Sequence, residues 1–235
     1  MIILSSYQSN TKNKKTMLNE PHSLREFDRA MQGVNDTLTQ MASYCLTAMD
    51  SAFDAVLSRC EEAANRTIAD DDQIDNCELI LDRQILEIQA SFGPVAGDLR
   101  IILTAMNLST PLERIGDECV GIARKALLLI AAPTIRDVLI VEPVYLKMRG
   151  LLSNLMDSFL SKNFIKAKKC LAICDELETD AGILSEKMIL LAEKEPGSIA
   201  SFSQLVLIAR SMTNMIDKMR RICVDILSME DEQGQ

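Results

Sequence analysis

Four acids, Asp71, Asp75, Glu78 and Asp82, follow one another at spacings of four, three and four residues, and two more, Glu113 and Asp117, stand four apart in the run Leu112-Glu113-Arg114-Ile115-Gly116-Asp117. At 100° per residue the first four share a sector of roughly 60° on one helix, and the other two stack one turn apart on another. Each like-charge i,i+4 pair weakens its helix by about 0.2–0.5 kcal/mol. A chain that builds several therefore needs a neutralising partner, either basic side chains or bound cations. Oxygen donors without imidazole or thiolate suit hard or borderline cations such as iron, manganese, magnesium or calcium, and lack what zinc takes in structural sites. Two readings stand side by side: metal ligands, or a solvated face that Arg83, Arg100 and Arg114 neutralise by ion pairing.

The elements that must carry these acids follow from periodicity. Apolar residues recur at helical spacing from Leu24 to Leu57, and a second helix is predicted from Cys60 to Ser91, stopping at Gly93-Pro94. A third is predicted from Ala96 to Ala131, ending before Pro133. With Asp71 at 0°, the acidic stripe centres near about +10° while Ile74, Leu81, Ile85 and Ile88 cluster near about −70°, so the acids flank the packed face instead of opposing it. The third helix carries local costs: Pro111 removes a backbone hydrogen bond and is expected to kink it just before Glu113, and Gly116 and Gly121 each lower helix propensity by about 1 kcal/mol relative to Ala. Gly116 would let another backbone approach beside Asp117; packing tolerance explains the same residues equally well.

After a connector bracketed by Pro133 and Pro143 the plan recurs, with helices predicted over Val144–Leu160, Phe164–Glu195 and Ser198–Met229. Asp71 and Asp75 match Glu176 and Asp180, Asp117 matches Asp217, and Gly93-Pro94 matches Pro196-Gly197. The expected architecture is all-α: a flexible tail over residues 1–23, then two tandem three-helix bundles over 24–132 and 143–229. Helices of about 30 residues and about 45 Å make such a molecule elongated.

Composition supports this and limits function. Aromatics at 4% with 13 Met, 9 Gly and 6 Pro favour helix-on-helix packing over a sheet. A net charge of −9 argues against nucleic acid as a partner. The seven cysteines are odd in number and form no CxxC pair, so they read as reduced, mostly buried thiols; Cys170 and Cys174, one turn apart, lack the further ligands a soft metal takes. The apolar start Met1–Leu4 is too short for a secretory signal and no run reaches the ~20 apolar residues of a membrane span, so a cytoplasmic protein is expected, meeting membranes only through partners. The single His22 lies in the leader, which rules out the Glu-x-x-His pairs of di-iron bundles. With no nucleophile elbow, P-loop or dinucleotide fingerprint, an enzyme is the weaker class.

In order and spacing, Asp71-x-x-Ile74-Asp75-x-x-Glu78, Pro94-x-Ala96-x-Asp98-Leu99-Arg100 and Leu112-Glu113-Arg114-Ile115-Gly116-Asp117 resemble the PhoU family, and the resemblance extends from Leu24 to Met229. It implies two three-helix bundles bearing surface metal clusters. Carried onto this chain, the first cluster would use Asp71, Asp75, Glu78, Glu113 and Asp117, and the second Glu176, Asp180 and Asp217. The implied cofactor is a divalent or ferric ion: iron, manganese, magnesium or zinc. The implied function is a cytoplasmic, homodimeric, non-enzymatic adapter that links the ATPase of a phosphate ABC transporter to a sensor histidine kinase and represses phosphate-starvation genes when phosphate is plentiful. A metal-dependent hydrolase and a purely structural scaffold are the rival readings.

The second half departs from the pattern. Thr213 stands where Glu113 has its counterpart, and Ile183 and Lys187 stand where Glu78 and Asp82 have theirs. Fewer anionic ligands bind cations more weakly, so the first bundle is expected to hold the stronger site.

Overall fold

The computed structural model describes residues 20–230. Seven α-helices follow in order: α1 Glu20–Leu57, α2 Glu61–Ala69, α3 Asp72–Phe92, α4 Ala96–Ala131, α5 Glu142–Leu160, α6 Phe164–Lys194 and α7 Ile199–Leu227, with short 3-10 turns at Arg136–Val141 and Pro196–Ser198. There is no strand among the described residues. The all-α reading is borne out, and at 38 residues α1 alone spans about 57 Å.

The tail expected over 1–23 lies outside the described residues as far as residue 19; from Glu20 the chain is already in α1. The helix expected to run unbroken from Cys60 to Ser91 is instead two, α2 and α3, parted at Asp70 and Asp71. Three consecutive aspartates, Asp70, Asp71 and Asp72, occupy the break. Asp competes with the backbone for its own hydrogen bonds, and it is most favourable ahead of a helix N-terminus, where the macrodipole attracts negative charge. The restart keeps helical geometry at Asp71 (φ −55°, ψ −42°) and a bond from the Ile74 amide to the Asp71 carbonyl at 3.0 Å, so the stripe keeps its register.

Gly93 ends α3 with φ +56°, a conformation that suits a residue without Cβ, and its amide bonds the Gln89 carbonyl. Pro94 then sends the chain back along α3 as α4. Helix α4 continues through Pro111 to Ala131, and the Arg59 side chain donates to the carbonyls of Ile130 (2.7 Å) and Ala132 (2.8 Å), satisfying groups its last turn leaves open.

Helices α1, α3 and α4 pack together with α2 beside them, and α5, α6 and α7 pack in turn. The two sets also pack on each other, α4 against α7 and α1 against α5, so their buried side chains form one continuous cluster. Phe53, Leu112, Ile115, Phe202, Met212, Met215 and Met219 are fully buried in it, each such side chain contributing about 1.5–3 kcal/mol by leaving water. Polar ties cross the junction. Asp50 of α1 accepts from the Tyr145 hydroxyl (2.6 Å) and from Arg149 through Nε (2.6 Å) and Nη2 (2.9 Å), while Phe53 stacks on Tyr145 at 4.4 Å. Asn214 of α7 donates to Glu118 of α4 at 2.7 Å. No helix among the described residues is long and apolar enough to cross a membrane.

Candidate metal centre

Helices α3 and α4 come close together at Gly116. A Cβ added at Gly116 would stand 2.7 Å from Ile74 Cδ1, so the missing side chain of α4 makes room for an α3 side chain, not for the backbone approach the sequence suggested. Ile74 is flanked along its helix by Asp71, Asp75 and Glu78, and Gly116 by Glu113 and Asp117. Seating one in the other therefore sets the two acid rows side by side on the shoulders of the packed face.

The electrostatics show how close the rows are. The Asp71 carboxyl is pushed above its ordinary value, first by burial and then by the charges of Asp75, Asp117 and Asp72, with Arg124 opposing. Glu113 is pushed up as well, first by burial and then by Asp117, with Arg114 opposing and Glu78 and Asp75 adding to the rise. Asp71 thus feels Asp117 of the other row, and Glu113 feels Glu78 and Asp75. Asp82 lies one turn further along α3. Arg114 stands over the cluster, its Nε 3.3 Å from Glu113 Oε2 and its Nη1 3.2 Å from Asp117 Oδ2. Thr110 donates to Glu78 Oε1 at 3.4 Å. Arg114 is one of the arginines considered as neutralisers; Arg124, one turn beyond Val120 on α4, was missed, although it lies on the helix that carries Glu113 and Asp117.

The donor chemistry fits a hard cation: carboxylate oxygens that raise one another's proton affinity are under-neutralised and attract one. The side chains are not drawn up around a point, however. Among the described residues no group of three His, Cys, Asp or Glu side chains stands in an arrangement that would hold a metal ion. Arg114, exposed, is the cation that Glu113 and Asp117 meet in the structure.

The second set is arranged differently. Glu176 and Asp180 lie on α6 and Asp217 on α7. Lys147 of α5 puts its Nζ 2.7 Å from Asp180 Oδ2, and its own proton affinity is raised by Asp180 and also by Glu176. Arg220 binds Asp175 at 2.7 Å and Glu178 at 2.9 Å. Thr213, at the place of Glu113, turns its hydroxyl to the Ala209 carbonyl of its own helix at 3.2 Å. Nothing in the local sequence marks Lys147, which comes from another helix 33 residues before Asp180. Cys170 and Cys174 are buried, Cys174 pushed up to about 11 by burial, which disfavours the thiolate a soft metal needs.

Residues 38–126, from within α1 to near the end of α4, match the family model described as the PhoU domain. Over that stretch the chain is similar to PhoU domains. The family resemblance read from its motifs is thereby borne out. The phosphate-specific transport system accessory protein PhoU homolog of Aquifex aeolicus is 26% identical over 182 residues, covering 77% of this chain and 82% of that protein. The protein of the same name from Zymomonas mobilis is 25% identical over 199 residues, covering 83% of each. The PhoU-type fold extends over most of the chain. The crystal structure of PhoU from Pseudomonas aeruginosa superimposes with a TM-score of 0.82 at 21% identity, covering 87% of this chain and 98% of that one. That of the phosphate transport system regulatory protein PhoU from Streptococcus pneumoniae gives 0.76 at 21% identity, covering 88% and 98%.

Proposed function

We propose that this chain is a metal-binding accessory regulator of phosphate transport, built on two repeats over 24–132 and 143–229. Its relatives along more than three quarters of the chain are named as accessory proteins of the phosphate-specific transport system, not as enzymes. The observation that carries the metal reading is the pairing of carboxylates across α3 and α4: Asp71 is raised by burial and then by Asp75 and Asp117, and Glu113 by burial and then by Asp117, Glu78 and Asp75, with arginine only partly opposing. Iron, manganese or magnesium suits that donor set best, with zinc the least matched of the four ions considered. A bound ion would supply charge neutralisation and cross-link α3 to α4. The chain's own part is to align the rows through Ile74 and Gly116 and to hold Arg114 as the resident counterion until metal arrives.

In this reading the protein works in the cytoplasm as a homodimer. It contacts the transporter ATPase and a sensor histidine kinase, reaches the membrane only through them, and restrains phosphate-starvation expression without turnover of its own. Two experiments test it. An ion that binds the folded but not the unfolded chain raises the melting temperature by mass action. Manganese or iron added to chelator-treated protein is therefore expected to raise it by several degrees, and no shift with metal-free elemental analysis would refute the metal site. Capture from cells of the native organism should recover a phosphate transporter ATPase or a histidine kinase; recovery of neither would refute the adapter role.

A further inference from the structure

Next to the carboxylate rows lies an open cleft of about 570 Å³, within the size range of small-molecule sites. It is lined from α3 by Glu78 and Asp82, from α7 by Lys218 and Arg221, and from α4, which packs against both helices, by Thr110 and Arg114. One wall is anionic and the other cationic. Such walls would neutralise each other if they touched, but Lys218 has no ion-pair partner among the described residues. Arg221 commits its Nε to Asp225 at 2.9 Å, with its side chain 64% exposed, and Arg114 commits Nε and Nη1 to Glu113 and Asp117. Each of the three cations therefore keeps donors directed at nothing else, gathered around one cleft.

Guanidinium and ammonium groups converging with spare donors recognise the oxygens of a tetrahedral oxyanion, the guanidinium through paired bonds. Glu78 and Asp82 oppose such a ligand. A divalent cation on the carboxylate rows, with Glu78 among its ligands, would lessen that opposition, and by taking over Glu113 and Asp117 it would also release Arg114 toward the cleft. We propose that this cleft binds free phosphate on Lys218, Arg221 and Arg114, and that it does so once a divalent cation has neutralised the acids beside it. The inference rests on the metal reading above for the cation and on the cleft alone for the anion. Linkage is reciprocal, so phosphate must tighten cation binding by the same factor.

The test is equilibrium dialysis of the full chain with inorganic phosphate as probe, in chelator and then with manganese. Phosphate affinity is expected to rise at least tenfold with manganese. Lys218→Ala should lose most phosphate binding while retaining manganese, and Glu78→Gln with Asp82→Asn should bind phosphate without any metal. Equal phosphate binding with and without manganese overturns the coupling. Failure of both manganese-loaded wild type and the Gln/Asn variant to bind phosphate overturns the site, as does an unchanged Lys218→Ala. If manganese itself does not bind, the metal reading falls and the coupling with it; the Gln/Asn variant then still tests the cationic wall, where binding that Lys218→Ala abolishes supports the oxyanion site and no binding overturns it. O-phosphoserine in the same assay separates free phosphate from a phosphoryl group carried by a partner: weaker binding is expected, because its carboxylate meets Glu78 and Asp82, and tighter binding overturns the assignment to free phosphate.

Discussion

In the first bundle the acids of α3 and α4 face one another across Ile74 and Gly116, and Asp71 and Glu113 take up protons more readily than usual because of burial first and then of neighbouring acids that Arg114 and Arg124 only partly offset. In the second bundle Lys147 sits on Asp180, one of the related acids, Arg220 joins the neighbouring Asp175 and Glu178, and Thr213 contributes no charge. The same repeat thus solves one problem in two ways. Where lysine or arginine from another helix meets the acids, they form an ion-pair network; where Arg114 only partly offsets Glu113 and Asp117 on its own helix, repulsion is left over. Acidic spacing alone does not separate these cases, because what decides is the origin of the opposing charge.

The largest effect expected from this contrast is on metal content. Glu113→Ala with Asp117→Ala should remove most of the manganese or iron retained by purified protein, while Asp180→Ala with Asp217→Ala should remove little. Elemental analysis of the two double variants reads this directly. Equal losses would abolish the asymmetry, and a greater loss from the second pair would reverse it.

A smaller but constructive effect follows if the second bundle is given what it lacks. Lys147→Ala frees Asp180, and Thr213→Glu restores a carboxylate at the place matching Glu113. Affinity in oxygen-ligand sites grows with the number of anionic ligands, so the double variant is expected to gain about one further equivalent of bound manganese by dialysis. An unchanged stoichiometry would show that Glu176, Asp180 and Asp217 are too far out of register for charge count alone to make a site.

How far this was legible beforehand divides along the same line. The all-helical class, the Gly93-Pro94 break and the spacing of the two acid rows follow from periodicity, because each depends on residues within a few turns of one another. The break at Asp70–Asp71 was missed because apolar periodicity continues across it through Ile68 and Ile74, while the backbone responds to three adjacent aspartates. Lys147 and Arg220 were missed for a different reason. They reach acids 33 and 45 residues away on other helices, and the side on which α5 and α7 pack against α6 is a tertiary fact. The Asp50–Tyr145–Arg149 tie, closing over 95 and 99 residues, was invisible on the same ground.

The proton offers a milder probe of the first cluster than metal. Folding raises the values of Asp71 and Glu113 above the ordinary 3.8 and 4.5, whereas the unfolded chain keeps the ordinary ones. Ionisation is therefore costlier in the folded state. The penalty is fully present above the raised folded values and disappears as pH falls below the ordinary ones. Metal-free Glu113→Gln, which cannot ionise there, should melt a few degrees above wild type at pH 7, where 1 kcal/mol corresponds to roughly 2–4 °C for a chain of this size. The gap should close toward pH 4. A gap constant with pH would mean that Gln stabilises through packing or hydrogen bonding and not by relieving charge.

The smallest effect on stability, and the sharpest on the comparison, concerns Gly116. Replacing it with Ala improves helix propensity by about 1 kcal/mol, while the added Cβ would lie 2.7 Å from Ile74 Cδ1 and force that side chain aside. Overpacking of this kind costs about 1–3 kcal/mol, and because the obstacle is the far end of a flexible side chain the low end applies. The two terms nearly cancel, so Gly116→Ala should melt within a few degrees of wild type. Its metal affinity should fall by more than its stability does, since the displaced residue sets the acid row of α3 against that of α4. Ile74→Val removes Cδ1, and the double variant Gly116→Ala, Ile74→Val should recover manganese affinity. If Gly116→Ala binds manganese as wild type does, the rows are held in register by something other than this contact. If the double variant fails to recover while keeping its melting temperature, Ile74 positions the acids through the very methyl that was removed.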